Sequence, residues 1–164
     1  MGWFNAVYAG KAQRVARTME QPTGDRSLRY ELPAEPGVVA HCRALTQRAL
    51  LTWFGSADGP GRKAADDAVL LVSEVVTNAC THGGAPSVLR LTATDRALWV
   101  QISDTSPAAP HPHGRHSASH TSGHGLYLVQ RLAARWGCVP GSHGGKTVWF
   151  EVDIVPEAAA PDRS

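Results

Sequence analysis

Two runs of this chain hold side chains and backbone suited to chemistry: Glu74-Val-Val-Thr-Asn78-Ala-Cys-Thr-His82 and, further along, Gly123-His-Gly125-Leu-Tyr-Leu-Val129. Glu74, Asn78 and His82 recur every fourth residue, so on a helix they share one side, while Ala68, Val72, Val75, Val76 and Ala79 fall on the opposite arc and face a core. A carboxylate and an amide projecting together from a buried helix can hold a hydrated Mg²⁺ and a nucleophile. In the second run two glycines open an amphipathic stretch with Leu126, Val129 and Leu132 as its apolar stripe. Glycines at a helix N-terminus let backbone N–H groups approach phosphates. Each run alone is ordinary: a Glu/Asn pair is commonly a solvated helix face, and Gly-x-Gly is commonly a loop end. Together they point to a nucleotide site built from two helices.

A third element lies between them. Leu98-Trp-Val-Gln-Ile102 alternates as a strand and runs into the turn Ser103-Asp104-Thr-Ser-Pro107. An Asp in a crevice at a strand end is a strong acceptor, and the amino group of adenine is a donor that fits it.

The elements that must position these residues follow from the pattern. Residues 27–32 alternate as a half-buried strand, and 36–54 has helical periodicity through Val39, Cys42, Leu45 and Leu50. Residues 55–61 are a Gly/Asp/Pro loop, and 62–82 is the long helix carrying the first run, capped by Gly83-Gly84. Residues 87–92 and 97–103 read as strands joined by a turn at 94–96. Residues 125–136 read as a helix closed by Gly137, and 146–154 as a last alternating strand. Helices clustered with hairpin-linked strands imply an α/β (α+β) two-layer sandwich rather than a doubly wound parallel sheet. Its sheet is expected to be mixed but mostly antiparallel, with helices on one face. Domain boundaries are placed at 1–26 (a flexible or peripheral extension), 27–155 (the folded domain) and 156–164 (a disordered tail).

Composition agrees and excludes other classes. A chain of 164 residues with 43% hydrophobic content suits one domain with a sizeable core. A net charge of +2 without a basic run gives no case for direct nucleic-acid binding. Cys42, Cys80 and Cys138 are widely spaced with no Cys-x-x-Cys pair, as in reduced thiols of a cytoplasmic protein. No run of about 18 apolar residues is present, so no membrane span is expected. The N-terminal segment has Lys11, Arg14 and Arg17 with no apolar core after them, unlike a secretory signal.

In order, Glu74-x-x-x-Asn78-x-x-x-His82, Asp104-x-Ser-Pro107 with Pro110, Gly123-x-Gly125-Leu-x-Leu-Val129 and Gly145-Lys-Thr147-Val-Trp-Phe150 resemble the GHKL (Bergerat-fold) ATPases. Within that superfamily the chain is similar to the small single-domain anti-sigma-factor and serine-protein-kinase branch. The Ser106-Pro107 pair after Asp104, where the wider superfamily has glycine, favours that branch. The resemblance implies a histidine kinase-like ATP-binding domain with ATP and Mg²⁺ as cofactors. It makes Glu74 the general base and Asn78 the Mg²⁺ ligand. It gives Asp104, with Pro107, the adenine amino group, preferring adenine over guanine. It places Gly123, His124, Gly125 and Leu126 at the phosphates, and Thr147 at the adenine through a hydroxyl and a water. His82 contacts a phosphate or caps its helix. Lys146 offers charge to phosphate or is a solvated edge-strand lysine. Residues 106–122 would be the nucleotide lid, with Arg115 reaching a γ-phosphate on closure.

The implied function is an ATP-dependent serine/threonine protein kinase that phosphorylates an anti-sigma-factor antagonist and also holds a sigma factor. Its partners would then be a sigma factor and the antagonist protein, with no membrane, and a homodimer is left open. On this length the expectation is neither a sensor histidine kinase with phosphoacceptor helices nor a gyrase or heat-shock chaperone with a transducer domain. Two other classes stay open. One is a non-catalytic ATP-binding adaptor; an intact Glu74 speaks against it, because binding alone has little need of a base. The other is a metal-binding regulator using His111, His113, His116, His120 and His124, whose prolines and spacing favour a loop over a standard zinc site.

Overall fold

A computed structural model describes residues 26–55, 60–82, 84–108, 125–141 and 143–154. The expectations for the N-terminal extension (bar its last residue), for most of the lid with its histidines and Arg115, and for the C-terminal tail lie outside these residues, as do Gly83, Gly123 and His124.

The described chain runs β1 (Arg26–Glu31), α1 (Val38–Phe54), α2 (Pro60–Thr81), β2 (Pro86–Ala93), β3 (Ala97–Asp104), α3 (Gly125–Leu132), β4 (Arg135–Pro140) and β5 (Lys146–Asp153). The strands form one five-stranded sheet in the order β1-β2-β3-β5-β4. Every pairing among them is antiparallel, so the mixed sheet expected from sequence is not what forms. Short turns at 94–96 and 141–145 account for two of the pairings, and an antiparallel neighbour needs no crossover helix.

Alternation divides the sheet into two faces. Leu89, Leu91, Leu98, Val100, Ile102, Val148, Phe150 and Val152 join one apolar core with residues of all three helices. The long α2 supplies most of the helical side: Ala68, Leu71, Val72 and Val76 are fully buried, as the spacing of its apolar residues requires. Against that core α1 adds Cys42, Ala49 and Leu50, and α3 adds Leu126 and Val129. Residues of opposite parity form the other face, where Trp99 stacks on Trp149 with ring centroids 4.8 Å apart. Both indoles are buried, and neither N–H finds a hydrogen-bond partner.

Two sequence expectations are overturned here. The helix expected over 125–136 ends at Leu132, and Arg135–Pro140 is a strand. Pairing decides this: Trp136 lies opposite Phe150 and enters the core, and Arg135 ion-pairs Glu151 across the ladder. Gly137, expected as a helix stop, sits mid-strand because a Cβ there would come within 2.8 Å of the Trp149 ring. In turn, β4 takes the sheet edge and makes β5 an interior strand. Lys146 is therefore no solvated edge lysine; it is 9% exposed.

Candidate nucleotide-binding site

Glu74 and Asn78 lie on the half-buried flank of α2, between its core stripe and its solvent face. At the end of this helix the His82 N–H donates to the Asn78 carbonyl at 3.0 Å, so all three residues lie on consecutive turns. His82 is exposed.

Just past α2 the chain passes directly against Asp104. Gly84 is so close that a Cβ on it would meet Ser106 at 2.9 Å and an Asp104 carboxylate oxygen at 3.3 Å. Two hydrogen bonds fix this junction: Thr105 N–H to the Ala85 carbonyl at 3.2 Å, and Ala85 N–H to the Thr105 hydroxyl at 3.1 Å. The Asn78–His82 end of α2 and the Asp104 strand end are thereby held as neighbours, as one ligand contacting both would require.

Asp104 is buried at the end of β3, on the same face as Leu98, Val100 and Ile102. Its Oδ1 accepts the Ser106 backbone N–H at 2.9 Å, an Asx-type turn that aims the carboxylate. The same oxygen accepts from Lys146 Nζ at 3.0 Å, and Oδ2 lies 2.9 Å from that ammonium. The Lys146 ammonium also donates to the Ser106 carbonyl at 3.3 Å. The register explains the pair, because Asp104 and Lys146 are direct cross-strand partners. Gly145 makes the approach possible, since a Cβ there would fall 1.9 Å from the Asp104 carbonyl oxygen. Behind them, burial pushes the Cys138 thiol up to about 11; the Lys146 charge pulls it down and the Asp104 charge pushes it up.

Thr147 does not join this group. It points to the opposite face of β5, where its hydroxyl meets the Ser103 hydroxyl at 2.8 Å, and Lys146 occupies the position beside Asp104. Alternation carried that signal: Lys146 has the parity of Val148, Phe150 and Val152, so the strand pattern places it inward. Pro107 is exposed just after the Asx turn. Gly125 opens α3, and Leu126, its second residue, is buried in the core and anchors that helix start. No cluster of three or more His, Cys, Asp or Glu suited to a metal occurs among the described residues; the histidine run falls outside them. The Asn78 amide oxygen is a donor that fits Mg²⁺ and would hold it, with the Glu74 carboxylate on the same flank of α2 to act as the base. Among the described residues no helix is long and apolar enough to cross a membrane.

The family model of the histidine kinase-like ATPase domain matches residues 32–152. Among solved structures, the chain is similar to the RsbU and RsbW domains of Rv1364c from Mycobacterium tuberculosis, with 21% identity and a TM-score of 0.56. The match covers 77% of this chain and 32% of that one, so the chain spans about a third of that protein's length. At this identity the likeness speaks for the fold. No curated protein matches the chain.

Proposed function

The chain belongs to the histidine kinase-like ATPase domain family, an ATP-binding fold, and from that premise we propose that it is a serine/threonine protein kinase. In this reading it phosphorylates an anti-sigma-factor antagonist and, when the antagonist is unavailable, holds a sigma factor. The observation that carries the proposal is the placement of Glu74 and Asn78 on one half-buried flank of α2, with the chain just past that helix, at Gly84, packed against Asp104. Phosphoryl transfer asks the protein for positioning and charge stabilisation rather than covalent chemistry. Asn78 would hold Mg²⁺ through its amide oxygen, and Glu74 would take the proton of the attacking hydroxyl. Asp104 would accept from the base. Gly123, His124, Gly125 and Leu126 would present backbone N–H groups to phosphates at the start of α3. The family's ATP and Mg²⁺ supply the phosphoryl group and its charge neutralisation. The RsbW domain named in the similar structure supports a partner-switching role, and the intact Glu74 favours an enzyme over a non-catalytic adaptor.

The test pairs binding with transfer. Glu74→Ala should keep ATP affinity within about two-fold while lowering phosphorylation of an antagonist protein by about 10²–10⁴-fold, the range for loss of a general base. Tight ATP binding by the wild type, with no transfer to any antagonist protein of the same genome, would instead make the chain a non-catalytic adaptor.

A further inference from the structure

Resting on the reading that this site takes a nucleoside triphosphate, we infer that Lys146 is a second reader of the base edge, widening acceptance from adenine to 6-oxopurines. A lone carboxylate accepts hydrogen bonds and donates none. Asp104 by itself would welcome the adenine 6-amino group and oppose the guanine 6-oxygen. The site does not hold a lone carboxylate. The Lys146 ammonium lies 2.9 and 3.0 Å from the two Asp104 oxygens, so a donor and an acceptor stand side by side.

Such a pair complements both purines. Guanine offers its 6-oxygen to the ammonium and its N1–H and 2-amino group to the carboxylate. Adenine needs the carboxylate alone, which accepts from its 6-amino group, so loss of the ammonium falls on the 6-oxopurines. A threonine hydroxyl beside the aspartate would give weaker support for an oxo group, and the hydroxyl available here is on the other face, bonded to Ser103.

The ammonium is held in place. Lys146 is an interior-strand residue directly opposite Asp104 and 9% exposed. Its strand is pressed against the Asp104 carbonyl at Gly145, and the Ser106 carbonyl takes a further hydrogen bond from Nζ. Of the three N–H donors of the ammonium, two run to the carboxylate and one to the Ser106 carbonyl, so reaching a base means swinging one of the carboxylate bonds onto it. The strand register sets Lys146 beside the base aspartate, which makes it a specificity residue rather than a phosphate ligand.

The experiment is a competition titration of ATP, GTP and ITP against the full chain, wild type and Lys146→Met, with Mg²⁺ present. Circular dichroism and thermal melting confirm that the variant folds. In the wild type, GTP and ITP should bind within about ten-fold of ATP. In Lys146→Met both 6-oxopurines should lose about ten-fold or more relative to ATP, the scale of one hydrogen bond to a charged group. A wild-type preference for ATP beyond about a hundred-fold overturns the inference. So does a variant whose ATP-to-GTP ratio equals that of the wild type. Should Lys146→Met not fold, the wild-type series decides alone. ATP binding without GTP or ITP removes this inference and leaves the proposed function standing. Failure of all three nucleotides to bind removes both.

Discussion

At the residue scale the Asp104–Lys146 pair has two jobs that mutation can separate. Both side chains are buried, so each charge depends on the other and on the Ser106 backbone for the hydrogen bonds that water would otherwise supply. Removing one member of such a pair strands the other. Asp104→Asn should therefore lower the unfolding free energy by about 3–5 kcal/mol, the usual cost of an uncompensated buried charge. The double variant Asp104→Asn/Lys146→Met should recover most of that loss, since an apolar replacement of both partners is often neutral. Urea denaturation of the two variants checks the stability half. Nucleotide titration checks the other: the double variant should stay deficient in binding although it is stable. A double variant as unstable as the single one would show that the loss does not come from a stranded Lys146 charge. Asn78→Ala separates a further role. It should weaken nucleotide binding in Mg²⁺ but hardly at all in EDTA, because its amide oxygen acts through the cation.

At the element scale, packing between β4 and β5 decides how the site is framed. With β4 on the sheet edge, Lys146 is carried into the interior opposite Asp104. Gly137 is the residue that lets β4 lie down, because the Trp149 ring fills the space where its side chain would be. Gly137→Ala must displace a ring that is 1% exposed and stacked on Trp99. Overpacking of this kind costs about 1–3 kcal/mol. Thermal melts should show the loss, and near-ultraviolet circular dichroism should show the stacked indoles disturbed; an unchanged spectrum with an unchanged melt would mean that the rings move freely.

The same strand shows what sequence could and could not reveal. The helical period of α2 is sustained over 22 residues, so the shared flank of Glu74, Asn78 and His82 was legible. Asp104 was legible as an acid at a strand end. Strand β4 was not, because Leu128, Leu132 and Trp136 continue a four-residue spacing that mimics one more helical turn. The pairing of Trp136 with Phe150, a contact invisible to any local window, overrides that spacing. Lys146 was misjudged for the same reason. Its inward parity was on the page, but whether β5 is an edge or an interior strand depends on where β4 goes.

At the scale of the whole molecule, one apolar core serves all three helices and the sheet, and its thiols make it sensitive to alkali. Burial pushes Cys42 up to about 11, with a smaller push from Cys80, and Cys138 likewise reaches about 11. In the unfolded chain both thiols would titrate near the ordinary value of 9.0. Between about pH 9 and 11 the unfolded state releases protons that the folded state keeps. Stability from these groups is thus fully present below about pH 9 and is lost as pH rises through the folded values. Denaturant midpoints should hold steady from pH 7 to 8.5 and then fall from pH 9 upward. The double variant Cys42→Ala/Cys138→Ala should flatten that alkaline limb, whatever it does to stability at neutral pH. Thiol labelling offers an independent check, since Cys80 is exposed and Cys42 fully buried. At pH 8 a disulfide reagent should modify Cys80 in the folded protein and reach Cys42 only at the rate of unfolding. Rapid labelling of Cys42 under native conditions would mean that α1 opens from the core far more readily than its packing against α2 implies.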